Sequence, residues 1–179
     1  MSRIACIALL LAGGSGAFAV AAPSDASKAA CAVWQRELSF ARSVEQHDGK
    51  AFAEHVFTGA VFDANTDNPT RGLDAIARRW SPMIAGKVLR LSWYPRQVVV
   101  AGDPDLAYSS GTYLYEDLAP SAKQRFTLGE FATVWRRGHD GVWRVTFDGG
   151  SPGRPATDAD AKAFHAGRRT ICPASIEAG

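Results

Sequence analysis

The stretch Gly129-Glu130-Phe131-Ala132-Thr133-Val134-Trp135-Arg136, followed by Gly141-Val142-Trp143-Arg144-Val145-Thr146-Phe147-Asp148-Gly149-Gly150, decides the fold. Phe131, Thr133 and Trp135 alternate with Ala132 and Val134; Trp143, Val145 and Phe147 alternate with Arg144, Thr146 and Asp148. Two runs of period two on either side of Asp140-Gly141 predict a β-hairpin. The second strand carries Arg144, Thr146 and Asp148 on one face and ends in a carboxylate. A sheet lines a pocket in this way, with a few polar groups on an apolar wall.

Upstream of the hairpin the strand pattern continues. Ala107 to Tyr115 is one strand, with Tyr113 and Tyr115 on one face. Before the turn Gly102-Asp103-Pro104-Asp105, Leu89, Leu91 and Trp93 alternate with Arg90, Ser92 and Tyr94, and Val98 to Val100 extends the run. Pro95 inside it predicts an edge strand or a bulge, because proline has no N–H for the ladder. The first half of the chain is helical instead. Val33, Phe40 and Val44 form one stripe of a helix over Ser24 to Gln46. Asp48 is placed to cap a shorter helix carrying Phe52 and Val56, and Gly59 to Asp63 is a short strand. Leu73, Ile76, Ala77 and Trp80 mark a third helix that should stop before Pro82. Thr157 with Asp160 predicts a capping box for a last short helix. Helices first and antiparallel strands afterwards predict an α+β domain, one curved sheet with the helices on its concave face and a cone-shaped cavity between them.

The N-terminus reads differently. Arg3, the apolar run Ile4 to Leu11 and small residues up to Ala22 predict a secretory signal peptide over residues 1–22. A single domain over 23–169 and a C-terminal tail over 170–179 follow. Cleavage removes Cys6 and leaves Cys31 and Cys172, which an oxidising compartment should join in a disulfide that tethers the tail. The expected location is the periplasm or the exterior of the cell. Net charge falls from +2 to +1 when Arg3 is removed, and no basic run exists, so nucleic acid is not an expected partner. No second apolar span is present, so no membrane contact is expected after cleavage. His47, His55, His139 and His165 lack ligand spacing, and no phosphate-cradling glycine loop exists, so neither a metal nor a cofactor is expected.

The order of elements, and the motifs Trp93-Tyr94-Pro95, Gly102-Asp103-Pro104-Asp105-Leu106-Ala107-Tyr108, Gly111-Thr112-Tyr113, Thr133-Val134-Trp135-Arg136 and Asp140-Gly141-Val142-Trp143-Arg144-Val145, resemble the nuclear transport factor 2-like superfamily. Its cystatin-like fold is shared by ketosteroid isomerase and SnoaL-like proteins, and the motifs resemble an exported bacterial subfamily. The resemblance covers roughly Ala29 to Ser151. It implies a fold and does not assign an activity. Under the isomerase pattern, the general base falls on Ala64 with Asp63 one position early. The two oxyanion-hole acids fall on Phe40 and Thr133, and a supporting tyrosine falls on Trp80. Phe40 has no hydrogen to donate, so steroid isomerisation is not expected. The same overlay puts Thr146 on the pocket side.

The candidate catalytic residues are therefore Asp148, Asp63 and His55. Each has a plainer reading beside it: Asp148 as the cap of the Gly149-Gly150 turn, Asp63 on the wrong face unless a bulge restores it, and His55 as a packing residue. Phe40, Trp80, Trp93, Tyr113, Thr133, Trp135 and Thr146 are the candidate ligand-binding residues, with core packing as the alternative for each ring. The expected function is an exported domain that binds a small apolar or aromatic molecule in the cone. A cofactor-independent isomerase, dehydratase or lyase using a pocket carboxylate is the second reading. A homodimer formed through the sheet, with the domain as an interaction subunit, is the third.

Overall fold

The structure is a computed structural model that describes residues 24–173 and residue 176. The expected signal peptide lies outside the described residues. Within them the chain forms α1 (Asp25–Glu45), α2 (Gly49–His55), β1 (Val56–Phe62), β2 (Thr70–Arg71), α3 (Leu73–Ala85), β3 (Leu89–Val100), β4 (Leu106–Asp117), β5 (Phe126–Arg137), β6 (Trp143–Gly150), β7 (Arg154–Ala156) and α4 (Asp158–Gly167). The sheet runs in the order β2-β1-β6-β5-β4-β3, with β7 added along β5. All neighbours pair antiparallel except β1 with β6, which are parallel. The α+β architecture is as the residue pattern predicts, while β2 and β7 are too short to leave a periodic signal.

The helices begin where the capping residues stand. Ser24 accepts from the Ser27 amide to open α1, and Asp48 accepts from the Ala51 amide to open α2. Each satisfies one of the orphan donors of a first helical turn. Between them His47 takes the left-handed conformation with φ 61°. Thr157 and Asp160 close the capping box of α4. α1 lies mainly against β3 and buries Val33, Trp34, Leu38, Phe40, Ala41 and Val44. α3 passes through Pro82 and ends at Ala85, four residues beyond Ser81, where the expected helix stops. Pro82 cannot donate to the Arg78 carbonyl, and the Ser81 hydroxyl donates to that carbonyl instead at 2.9 Å. The Arg78 carbonyl thereby keeps a donor across the proline.

Two irregularities set which side chains face inward. In β3 the pairing with β4 shifts between Pro95 and Gln97, and β3 is also the sheet edge, so both expectations for Pro95 hold. In β6 Trp135 pairs with Val145 while Val134 pairs with Phe147, which leaves Thr146 as an extra residue. This β-bulge reverses the alternation beyond it. Val145 is fully buried, but Phe147, on the same apolar stripe in the sequence, is 49% exposed. Asp148 pairs with Thr133 and turns inward. The expectation that Asp148 shares a face with Arg144 and Thr146 is therefore corrected. Arg144 pairs with Arg136 on the outer face and bonds Asp140, while the Thr146 hydroxyl donates to the Val134 carbonyl within the bulge.

α4 packs on the outer face, where Tyr94 meets Phe164 with ring centres 4.9 Å apart. Trp93, the next residue along β3, points the other way into the cone. Cys31 near the start of α1 and Cys172 in the C-terminal segment are joined by a disulfide, with Cα atoms 5.4 Å apart.

Candidate functional site

The cone between α1, α3 and the sheet encloses a cavity of about 430 Å³, a volume suited to a small organic ligand. Its apolar wall is made of Phe40 from α1, Trp80 from α3, Leu91 and Trp93 from β3, and Tyr113 with Tyr115 from β4. The rings brace one another: Phe40 meets Trp93 edge-on at 5.2 Å, and Trp80 meets Trp93 at 6.4 Å. Tyr113 lies across Gly129, its partner on β5; a side chain there would collide with the ring. Gly129 is thus what lets Tyr113 lie flat, with its hydroxyl donating to the Ser151 carbonyl at 3.1 Å.

The polar end of the cavity holds two carboxylates, Asp63 and Asp148. Asp63 follows β1 in the left-handed region with φ 55°, a conformation aspartate tolerates better than most residues. This turn aims its side chain into the cone, while Ala64 faces the opposite side of the sheet. Parallel pairing of β1 with β6 is also irregular between Val56 and Val61. The Arg79 guanidinium lies 3.1 Å from Asp63 Oδ2, out of line for a hydrogen bond. Asp148 is half-buried and stands between the cone and the outer trough. Among the described residues its carboxyl has no hydrogen-bond or ion-pair partner; the Asp148 carbonyl oxygen instead accepts from the Ala64 amide. The alternative that the side chain caps the glycine turn is not what the structure shows. Burial raises the Asp148 carboxyl well above the ordinary carboxylate range, and the nearby charges of Glu37 and Asp63 add to the effect. Tyr115 is pushed up to about 12, first by burial and then by Tyr113, Asp148 and Asp63.

Glu37 is the functional candidate that the sequence reading passes over. It is fully buried on α1. Its Oε1 accepts from the Trp93 indole at 2.7 Å, and its Oε2 accepts from the Thr133 hydroxyl at 2.7 Å and the Trp135 indole at 2.9 Å. Burial raises its carboxyl, and these three donors pull against that. A signal was present: Glu37 falls between Val33 and Phe40 on the helical stripe, where a charge demands a buried partner.

The other candidates lie elsewhere. His55 is buried, stacked on Phe40 with ring centres 5.4 Å apart, and absent from the cavity wall. Its Nδ1–H donates to the Ala51 carbonyl at 2.7 Å, which leaves Nε2 to accept from the Ser39 hydroxyl at 3.0 Å. Burial lowers it to about 4. Thr133 and Trp135 sit under the cavity as partners of Glu37, not in its wall, and Thr146 lies in the bulge. Phe40, Trp80, Trp93, Tyr113, Asp63 and Asp148 are the expected residues that the structure brings together. On the outer face, Tyr108, Ala132, Val134 and Phe147 line a wider open trough. Among the described residues no group of three or more His, Cys, Asp or Glu could hold a metal ion, and no helix is long and apolar enough to cross a membrane.

Comparison with known proteins fits this geometry. A SnoaL-like domain matches residues 38–146, more than half of the chain. No curated protein sequence gives a significant match. Among solved structures, a nuclear transport factor 2-like superfamily protein from Salmonella enterica serovar Typhimurium LT2 aligns with a TM-score of 0.58 and 18% identity, over 74% of this chain and 94% of that one. A ketosteroid isomerase-like protein from Erwinia carotovora atroseptica SCRI1043 aligns with a TM-score of 0.59 and 12% identity, over 70% and 97%. A nuclear transport factor 2-like protein of unknown function from Pseudomonas putida KT2440 gives 0.58 and 16%, over 74% and 96%. At these identities the likeness is one of fold. With the helices on a curved sheet, the enclosed cone and the matched domain, the chain belongs to the SnoaL-like family of nuclear transport factor 2-like folds.

Proposed function

We propose that this protein binds a small, largely apolar molecule in the cone, with the polar part of the ligand at Asp63 and Asp148. The observation that carries this reading is the cavity of about 430 Å³ with an aromatic wall and two carboxylates at one end. A core built only for stability would fill such a space, because voids cost packing energy. Native mass spectrometry against a library of small aromatic and alicyclic compounds tests it. Wild type should retain members of the library, and Leu91→Trp, which fills the cone, should not. Retention of no compound by wild type removes the reading.

One observation favours catalysis as a second reading. Asp63 is held beside a guanidinium while Asp148 is held with no cation, so the two carboxyl groups have unlike environments. Unlike surroundings of this kind suit an acid and a base. In such a reaction Asp63 takes a proton from a carbon next to a carbonyl and returns it to another carbon, with no cofactor. Export is part of the proposal. It is supported by the N-terminal apolar run and by the Cys31–Cys172 disulfide. The exposed Tyr108 and Phe147 on the outer trough support a homodimer through the sheet; sedimentation of wild type against Phe147→Arg checks it, and identical profiles remove it.

A further inference from the structure

The polar end of the cone has a charge imbalance. Glu37, Asp63 and Asp148 converge there, and Arg79 on α3 is the cation paired with one of them, Asp63. Glu37 is surrounded by donors: two indole N–H groups and a hydroxyl fill its oxygens. Both Glu37 oxygens are thereby occupied within the floor, and the residue offers no donor to the cavity above it. Asp148 stands opposite Thr133, the residue that donates to Glu37, and among the described residues no side chain supplies it with a cation or a donor. Asp63 Oδ2 is likewise buried with no aligned donor. From β4, Tyr113 and Tyr115 face this end with uncharged phenols, and β3 contributes Leu91 and Trp93.

The wall around these carboxyl groups is aromatic. Phe40, Trp80, Trp93, Tyr113 and Tyr115 present rings to the same space. The Trp93 N–H is committed to Glu37, so Trp93 offers the cavity its ring and not its polar edge. Donation of that N–H to a carboxylate also makes the ring more electron-rich. Rings beside carboxyl groups that outnumber the cations near them form the environment in which organic cations are held, by quadrupole attraction and charge together.

We infer that the cavity takes a cation: a small aromatic or alkyl molecule bearing one protonated or quaternary amine, seated between the rings and the Asp63 and Asp148 carboxyls. This rests on the ligand-binding reading above and narrows it to one chemical class. In the empty protein Asp148 meets the imbalance by keeping its proton, in line with its raised proton affinity. When an ammonium group enters, Asp148 gives that proton to solvent and pairs with the ligand. Binding is therefore linked to release of one proton and tightens as pH rises towards the value at which Asp148 ionises in the free protein.

The probes are 2-naphthylmethylamine, which is cationic at neutral pH, and the neutral 2-naphthalenemethanol of nearly the same shape. Calorimetric titration at pH 7, repeated in buffers of different ionisation heat, gives affinity and proton release together. The amine should bind at least about tenfold more tightly than the alcohol, equivalent to about 1.4 kcal/mol, with net release of protons. Asp148→Asn should abolish the release and bring the amine to the affinity of the alcohol, with its fold checked by circular dichroism. Equal or stronger binding of the alcohol overturns the inference and leaves the binding reading standing. So does amine binding without proton release. Failure of both probes, with Leu91→Trp behaving as wild type, removes both. The comparison of probes in wild type stands even if a variant does not fold.

Discussion

His55 makes the stability of this domain depend on acid in a way that can be worked out from its surroundings. The ring is buried between Phe40 and the start of the sheet, and its Nδ1–H is fixed on the Ala51 carbonyl. Burial lowers its proton affinity from the usual 6.5 to about 4, an effect that the nearby Arg36 reinforces and the Ala51 carbonyl opposes. The unfolded chain protonates this histidine near 6.5, and the folded chain does so only near 4. Between those values the unfolded state holds more protons, so stability rises with pH there. The contribution is complete above the unfolded value and is lost as pH falls towards the folded one. The interval corresponds to about 3 kcal/mol. Urea denaturation followed by tryptophan fluorescence, at steps from pH 7.5 to pH 4, measures it. His55→Gln, which cannot titrate, serves as the reference. The gap between wild type and variant should change by about 3 kcal/mol over this range, and contributions from the carboxylates cancel in the difference. Parallel curves would refute the argument and place the ring in contact with water.

The opposite sign applies to Asp148. Its folded value is raised, so its contribution to stability is complete below the ordinary carboxylate range and is lost as pH rises through the folded value; Asp148→Asn should raise the urea midpoint at pH 7.5 while weakening ligand binding, and a lower midpoint would contradict the burial of an unpaired carboxyl. Reduction of Cys31–Cys172, or its replacement by two serines, opens a loop of 141 residues. Loop entropy sets the loss at about 5 kcal/mol at most, read from thermal unfolding with and without reductant; an unchanged melting temperature would show that the link is not formed in solution. The protein should not convert Δ5-3-ketosteroids above background in a spectrophotometric assay. Phe40 has no hydrogen to donate, the Thr133 hydroxyl is committed to Glu37, and loss of one oxyanion donor costs about 10²–10³ in turnover. Conversion that disappears in Asp63→Ala would show that the base is in place and that other donors suffice.

Much of this fold can be read along the chain because its signals are local. The stripe of α1, the caps at Asp48 and Thr157 and the hairpin around Asp140-Gly141 each depend on residues within a few positions of one another. Most of the aromatic wall is legible for the same reason. The rest depends on contacts distant in sequence. Glu37 reads as an ordinary helix charge until two tryptophans from β3 and β5 are brought to it. Asp63 needs a left-handed turn that its neighbours do not announce. α3 runs through Pro82 with the Ser81 hydroxyl serving the stranded carbonyl, a detail of one side-chain torsion. Thr146 defeats the alternation rule because a bulge belongs to a pair of strands and not to one of them.

The bulge also affects how this chain should be compared with its relatives. Position by position, a relative whose strand equivalent to β6 lacks the extra residue keeps in step with this one only as far as Val145. Beyond that point an ungapped alignment sets Thr146, Phe147 and Asp148 against residues of the wrong face. One gap opposite Thr146 restores the correspondence, since removing that residue leaves Val145 inward, Phe147 outward and Asp148 inward. A column built without the gap would report an exposed position as variable and miss the acid in the cone. The spacing between Trp143 and Asp148, and not the identity of any residue between them, is then the quantity to compare across the family.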